Sequence, residues 1–103
     1  MFKPMDEAHI KDLYEAFAVL KSADEIAMFM QDLCTPQELV ASAQRYQISK
    51  LLSEDCRYAE IVEKTGTSTA TISRVNRSLS MVSSGGYAIV FDRLKKQNED
   101  SAE

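Results

Sequence analysis

Basic and hydroxyl-bearing side chains are concentrated in residues 57–77, a combination suited to binding a phosphate backbone. From Arg57 to Ser78 the chain has four basic residues and two acidic ones, whereas the whole chain has 12 Lys and Arg against 16 Asp and Glu. Arginine binds phosphate oxygens and guanine edges, hydroxyls bind phosphates, and small side chains let a helix approach the bases closely. The residue types therefore predict contacts with duplex DNA by the following residues: Arg57, Lys64, Thr67, Ser68, Thr69, Ala70, Ser73, Arg74 and Arg77.

These side chains need a scaffold that presents one helix outward, and the same stretch predicts a helix-turn-helix over residues 57–79. A short helix is predicted over residues 57–64, and Gly66 supplies the turn residue that tolerates left-handed backbone angles. Ser68 or Thr67 can cap a second helix. Its apolar stripe recurs at i, i+3 and i+7: Ile72, Val75 and Leu79. With this stripe facing inward, the predicted DNA-contacting residues of the second helix face outward.

The remaining helices are predicted from apolar periodicity and capping signals. Apolar residues spaced along one face predict a first helix over residues 6–20, and Ser22 with Glu25 has the spacing of a capping box for a second. The run Thr35-Pro36-Gln37-Glu38 marks the start of a third helix, which continues to about Leu52. A last helix is predicted over residues 87–96, and we expect the charged tail, residues 97–103, to be flexible.

Chain length and composition predict one all-α domain that is completed by a second copy. A chain of 103 residues fits one core, and that core is marginal on its own. Yet 45% of the residues are apolar, with only three glycines and two prolines to interrupt helices. We therefore predict a homodimer, in which residues 6–54 supply the dimerisation helices.

The composition argues against several other classes of protein. A formal net charge of −4 does not favour adsorption to nucleic acid or membranes through overall charge, so any DNA contact depends on local charge. No apolar run approaches the roughly 20 residues of a membrane span, so a cytoplasmic protein is expected. Cys34 and Cys56 lack metal-site spacing and His9 is the only histidine, so neither a metal site nor an enzyme's catalytic site is predicted.

Residues 35–79 resemble the tryptophan repressor family. The run Ala70-Thr71-Ile72-Ser73-Arg74, followed by Asn76 and Ser78-Leu79, is similar to the recognition helix of that family. The whole chain resembles the YerC/YecD-type branch more closely, in these segments: Thr35-Pro36, Gln44-Arg45, the run from Ser68 to Arg77, and Gly85-Gly86-Tyr87. The resemblance implies an intertwined homodimeric regulator, expected to act as a repressor. Its two helix-turn-helix units would read half-sites roughly 34–36 Å apart.

In tryptophan repressors the indole ring of the ligand lies between two arginines, with threonine and serine positions nearby and a glycine close to the ring. The matching residues here are Arg45 and Arg74, Thr35 and Thr71, and Ser78. Val75 stands where the family has its glycine, and it also belongs to the inner stripe of the second motif helix. We therefore expect that Val75 fills the space of the indole ring, and that tryptophan is not a cofactor. Arg45 and Arg74 could instead bind another small effector, or could be surface charges or phosphate contacts.

A helical dimerisation or adaptor module that binds another protein is the alternative function. Its outer helix face would tolerate Arg74→Glu and Arg77→Glu, whereas a DNA-binding protein would lose affinity with both. Arg57 also departs from the Ser or Thr that would cap the first motif helix. We expect Arg57 to contact the DNA backbone instead.

Overall fold

A computed structural model of the chain describes residues 4–82 and 84–101, which form six helices and no strand. The helices are α1 (Pro4–Ala18), α2 (Ala23–Leu33), α3 (Pro36–Ser53), α4 (Tyr58–Thr65), α5 (Thr69–Val82) and α6 (Gly86–Ser101). The predicted all-α class is therefore confirmed. The chain divides into two compact units, with the boundary inside α3 between Val40 and Ala41. None of the described helices is long and apolar enough to cross a membrane.

The starts of α2 and α3 have the capping bonds that their sequences predict. The Ser22 hydroxyl accepts a hydrogen bond from the backbone N–H of Glu25 at 3.1 Å, and the Glu25 carboxylate accepts one from the Lys21 N–H at 2.8 Å. Thr35 and Glu38 form a reciprocal capping box, with bonds of 3.2 Å and 2.8 Å. The hydrogen bonds from the Thr35 backbone and side chain hold the pKa of Glu38 below its ordinary value.

The first unit has little buried apolar surface. Phe17 of α1 and Phe29 of α2 make an edge-to-face contact, with ring centroids 5.1 Å apart and an angle of 79° between the rings. No residue of α2 is buried, although the helix is rich in apolar side chains. Met28 is 69% exposed and Val19, in the loop before α2, is 71% exposed. The apolar face of this unit is therefore mostly uncovered within one chain.

The core of the second unit joins the end of α3 to α4 and α5. Its buried apolar residues are Ile48, Leu51, Ile61 and Ile72. Five half-buried residues pack against this cluster: Leu52, Cys56, Tyr58, Val62 and Val75. The two motif helices therefore face the same interior, through Ile61 and Val62 of α4 and through Ile72 and Val75 of α5, which leaves their opposite faces to solvent.

The link from α3 to α4 is a tight helix end. Asp55 has a left-handed backbone, with φ of 61°. The N–H of Asp55 donates to the carbonyl of Leu52 and the N–H of Cys56 to that of Leu51, both at 3.1 Å. This is the Schellman pattern, in which a left-handed residue satisfies the last carbonyls of a helix. It directs Cys56 back onto the core beside Leu51 and starts α4 two residues later.

The last helix is longer than predicted. It begins at Gly86 and continues to Ser101, so the predicted end at residue 96 was too early, and residues 97–101 are helical rather than a tail. Gln97 and Glu99 have high helix propensity, and just before this segment Asp92 and Lys96 form an i,i+4 ion pair of 3.2 Å. Residues 102 and 103 lie outside the described part. Near its start, α6 packs aromatic rings onto α3, where Tyr46 contacts Tyr87 and Phe91.

Candidate nucleic-acid interface

The turn between α4 and α5 is built around a left-handed glycine. Gly66 ends α4 with φ of 71°, and its N–H donates to the carbonyl of Val62 at 2.8 Å. The Thr65 hydroxyl donates to the carbonyl of Ile61 at 2.6 Å, so the neighbouring Thr67 hydroxyl donates in turn to Thr65 Oγ1 at 2.8 Å. Since each hydroxyl has one hydrogen, this order satisfies both groups. The turn is thus held by the backbone and by two threonines.

The position of Thr67 changes the role predicted for it. Thr67 is buried, its hydroxyl is engaged by Thr65, and its backbone N–H donates to Thr65 Oγ1 at 3.3 Å. A phosphate could reach this hydroxyl only by breaking the turn, so we assign Thr67 to the scaffold and not to the DNA-contacting surface. The cap of α5 is Ser68, whose hydroxyl accepts a hydrogen bond from the Thr71 N–H at 3.2 Å.

The predicted contact residues on α5 lie on its outer side. Thr69, Ala70, Arg74 and Arg77 are exposed, and Ser73 is half-buried at the edge of the same face. Arg57 and Lys64, just before and near the end of α4, are also exposed. The only ion pair among the described residues is that of α6, so none of these four basic side chains is neutralised by a carboxylate. The surface therefore combines free cations with small side chains.

The start of α4 lacks a side-chain cap. Arg57 occupies the N-cap position with an extended backbone, φ of −74° and ψ of 152°, and its side chain makes no capping hydrogen bond. A Ser, Thr, Asn or Asp at this position would satisfy one of the free N–H groups of the helix. Arg57 gives up that stabilisation and leaves an exposed cation at the start of α4.

One link between the two motif helices was not predicted from the sequence. The side-chain amide of Asn76 donates a hydrogen bond of 3.1 Å to the Tyr58 hydroxyl. The half-buried ring of Tyr58 also packs on the core. No spacing rule connects positions 18 apart on two helices, because their pairing depends on the crossing angle. The sequence carried no signal for this bond.

The residues matched to a ligand site come together only in part. A cavity of about 240 Å³ is lined by Arg45, Thr71, Arg74 and Val75 among others. A second cavity of about 270 Å³ shares Arg45, Arg74 and Val75 with the first and adds Ser78. Thr35 belongs to the other compact unit, where its side chain forms the capping box of α3. Val75 packs against the buried cluster as predicted.

Residues 8–95 of the chain match the Trp repressor protein family. The chain belongs to this family. The YerC protein of Bacillus subtilis (strain 168) is 37% identical to the chain over 93 residues, which cover 90% of this chain and 88% of YerC. The resemblance to the YerC/YecD-type branch is therefore confirmed together with the family.

Two solved structures of Trp repressor-like proteins have the same fold. A TrpR-like protein from Eubacterium eligens ATCC 27750 superposes with a TM-score of 0.79 at 45% identity, covering 85% of this chain and 90% of that one. A candidate Trp repressor from Staphylococcus aureus gives a TM-score of 0.79 at 34% identity, covering 91% and 96%. The Trp repressor family is a regulatory family and not an enzymatic one, which places this chain among helix-turn-helix regulators.

Proposed function

We propose that this member of the Trp repressor family is a cytoplasmic transcriptional repressor that binds specific duplex DNA as a homodimer through α4 and α5. The observation that carries the proposal is the division of α5 into two faces. Ile72 is fully buried on one face, while Ala70, Arg74 and Arg77 are exposed on the other. A helix that packs on the core through one face can enter a major groove with its exposed face directed at the bases.

Each exposed residue has a defined role in this proposal. Arg57 and Lys64 contact phosphates, and Ser68 and Thr69 place hydroxyls and N–H groups at the start of α5, where a phosphate is favoured by the helix dipole. Such contacts fix the position of the protein on DNA without reading sequence. The residues that approach the bases are Ala70, Ser73, Arg74 and Arg77.

A second copy of the chain is the partner that best accounts for the apolar surface outside the motif. The large exposed apolar side chains lie outside α4 and α5, in these positions: Tyr14, Val19, Ile26, Met28, Leu33, Val40, Ile89, Val90 and Leu94. Exposed apolar surface of this extent marks an interaction site. In a homodimer this surface is covered, and two recognition helices are presented to successive half-sites. Sedimentation equilibrium should give the mass of a dimer, whereas a monomer would contradict this part of the proposal.

Selection from a pool of random duplexes tests DNA binding directly. We expect the full chain to enrich a sequence with two related half-sites, and its affinity for that duplex to fall steeply as salt rises, because bound phosphates release counterions. Arg74→Glu and Arg77→Glu should each abolish measurable binding of the selected duplex. Arg93→Glu makes the same charge change on an exposed residue of α6, and it should bind as the unmodified chain does.

The same variants distinguish the alternative function, a helical module that binds another protein. Such a module would enrich no duplex sequence, and Arg74→Glu would behave like Arg93→Glu in every DNA assay. Retained dimer formation together with absence of sequence selection would support the adaptor and overturn the DNA-binding proposal.

Tryptophan does not fit, in this chain, the site at which Trp repressors bind it. Val75 lies at the family's glycine position, where its side chain packs on the core and lines the cavities beside Arg45 and Arg74. A branched side chain there occupies the volume that a flat ring would need. We expect isothermal calorimetry to detect no tryptophan binding by the unmodified chain and measurable binding by Val75→Gly. A sub-millimolar dissociation constant for the unmodified chain would contradict this expectation.

We also propose that a small effector other than tryptophan binds beside Arg45 and Arg74. Arg45 and Arg74 both line the two cavities and neither has a carboxylate partner among the described residues. Two free guanidinium groups favour an anionic molecule. Arg45→Ala decides whether Arg45 serves an effector or the DNA backbone: a backbone role lowers affinity for all duplexes without any added molecule, whereas an effector role leaves that affinity unchanged.

A further inference from the structure

The hydrogen bond between Tyr58 and Asn76 joins two helices. Its residues lie 18 positions apart, whereas the other side-chain hydrogen bonds within and around α4 and α5 join residues no more than four apart. Tyr58 is the first residue of α4, and Asn76 lies in the middle of α5. The bond therefore connects the start of one motif helix directly to the centre of the other.

Tyr58 and Asn76 differ in burial, and the half-buried Tyr58 positions the exposed Asn76. The Tyr58 ring is half-buried and packs against the cluster that contains Ile61 and Ile72. Asn76 is exposed, one turn after Ile72 and one residue before Arg77. Because packing fixes the ring, it also fixes the hydroxyl at its end, and the hydroxyl in turn holds the Asn76 amide at 3.1 Å.

Apolar contacts alone leave some freedom to the orientation of α5. Packing between Ile61 and Ile72 is favourable over a range of small rotations, because the hydrophobic effect has no direction. A hydrogen bond weakens steeply as its angle departs from linearity, so it selects one rotation from that range. A binding surface needs its side chains held within a fraction of an ångström of their working positions. A small rotation of α5 about its axis moves Arg74 and Arg77 by more than that.

We infer that Tyr58 is a positioning residue, whose hydroxyl fixes the rotation of the recognition helix by holding Asn76. This inference rests on the proposed DNA-binding function and names a determinant of its specificity. Tyr58 acts through Asn76 and touches no base. The competing role for Asn76 is direct readout, since an asparagine amide can bind an adenine edge by itself. In that case Tyr58 would matter only for packing.

A double-mutant cycle in the full chain separates these roles, with the duplex enriched by selection as the specific probe and a scrambled duplex of equal length as the nonspecific one. Tyr58→Phe keeps the ring and removes the hydroxyl. It should weaken specific binding about three- to tenfold, the size expected for one lost hydrogen bond, and leave nonspecific binding within about twofold. Asn76→Ala should weaken it by the same factor, and the double variant should be no weaker than either single variant. The matched control is Ser80→Ala, which removes an exposed hydroxyl that donates to the backbone carbonyl of Asn76 at 3.1 Å and should bind as the unmodified chain does.

Two binding results would overturn the inference. One is specific binding by Tyr58→Phe within about twofold of the unmodified chain, and the other is a double variant whose losses multiply, which indicates independent roles. Residual dipolar couplings of the α4 and α5 amides give a readout that needs no DNA. These couplings should differ between the unmodified chain and Tyr58→Phe. Identical couplings would refute the positioning role of Tyr58 and leave the proposed DNA binding unaffected. A chain that binds selected and scrambled duplexes equally would instead refute the proposed function.

Discussion

Ile61 of α4 and Ile72 of α5 lie in the same buried cluster, and neither side chain has any exposed surface. They are two of only four buried apolar residues among those described, so each carries a large share of the packing that holds α5 on the rest of the unit. In so small a core, the geometry of the proposed DNA-contacting face depends on a few side chains.

Truncation of Ile72 should therefore destabilise the protein strongly. We expect Ile72→Ala to lower the free energy of unfolding by about 2–5 kcal/mol, and Ile72→Val by about 1 kcal/mol, because the larger cavity loses more contacts. Urea denaturation followed by circular dichroism measures both. A loss below about 1 kcal/mol for Ile72→Ala would show that the site collapses and that the cluster is not the main support of α5.

The turn glycine gives a second prediction about stability. Gly66→Ala should cost about 1–2 kcal/mol, because φ of 71° is unfavourable for a residue with a side chain. Clashes with more distant residues do not add to this cost, since a Cβ at this position would meet no atom beyond its chain neighbours within 4 Å. Gly86→Ala is the control: Gly86 begins α6 without a left-handed backbone, and its Cβ would only meet Ser84 Oγ at 3.8 Å. This variant should be neutral or slightly stabilising. If Gly66→Ala and Gly86→Ala lost equal stability in thermal unfolding, the left-handed backbone of Gly66 would not explain the cost.

Much of the fold follows from local sequence signals. Ser22 and Thr35 begin their helices as predicted, and the glycine turn and the inner stripe of α5 were also placed correctly, because caps, turns and apolar spacing depend on near neighbours. The longer α6 was missed because a polar and charged segment was interpreted as tail, although Gln97 and Glu99 are good helix formers.

The parts of the candidate site that the sequence did not predict depend on how helices cross. Thr67 was expected at the surface as a hydroxyl next to a helix start, but the turn between α4 and α5 buries it and its hydroxyl bonds to Thr65. The Tyr58–Asn76 bond requires a specific angle between α4 and α5. Neither relationship is encoded by residue type or by spacing along one helix.

The capping box of α3 predicts a dependence of stability on pH. Hydrogen bonds from the Thr35 backbone and side chain lower the pKa of Glu38, so the folded state favours the ionised carboxylate. A group with a lowered folded pKa contributes stability above its unfolded pKa, and loses that contribution as the pH falls through the folded value. The stability difference between the unmodified chain and Glu38→Gln should therefore shrink from about pH 6 to about pH 3. Thr35→Ala, which removes the hydroxyl bond, should raise the pKa of Glu38 in an NMR titration. A stability difference that stays constant over this pH range would contradict the assignment.

Arg57 should show opposite effects on stability and on binding. Arg57→Thr supplies the missing cap of α4 and should stabilise the protein by about 0.5–1 kcal/mol in urea denaturation. The same change removes a proposed phosphate contact, so it should weaken binding of every duplex to a similar degree and reduce the slope of affinity against salt by about one. Arg57→Lys is the control, because it keeps the charge without adding a cap; it should preserve the salt slope and gain no stability. If Arg57→Thr bound DNA with an unchanged salt slope, Arg57 would have no phosphate contact, and its place at the uncapped start of α4 would need another explanation.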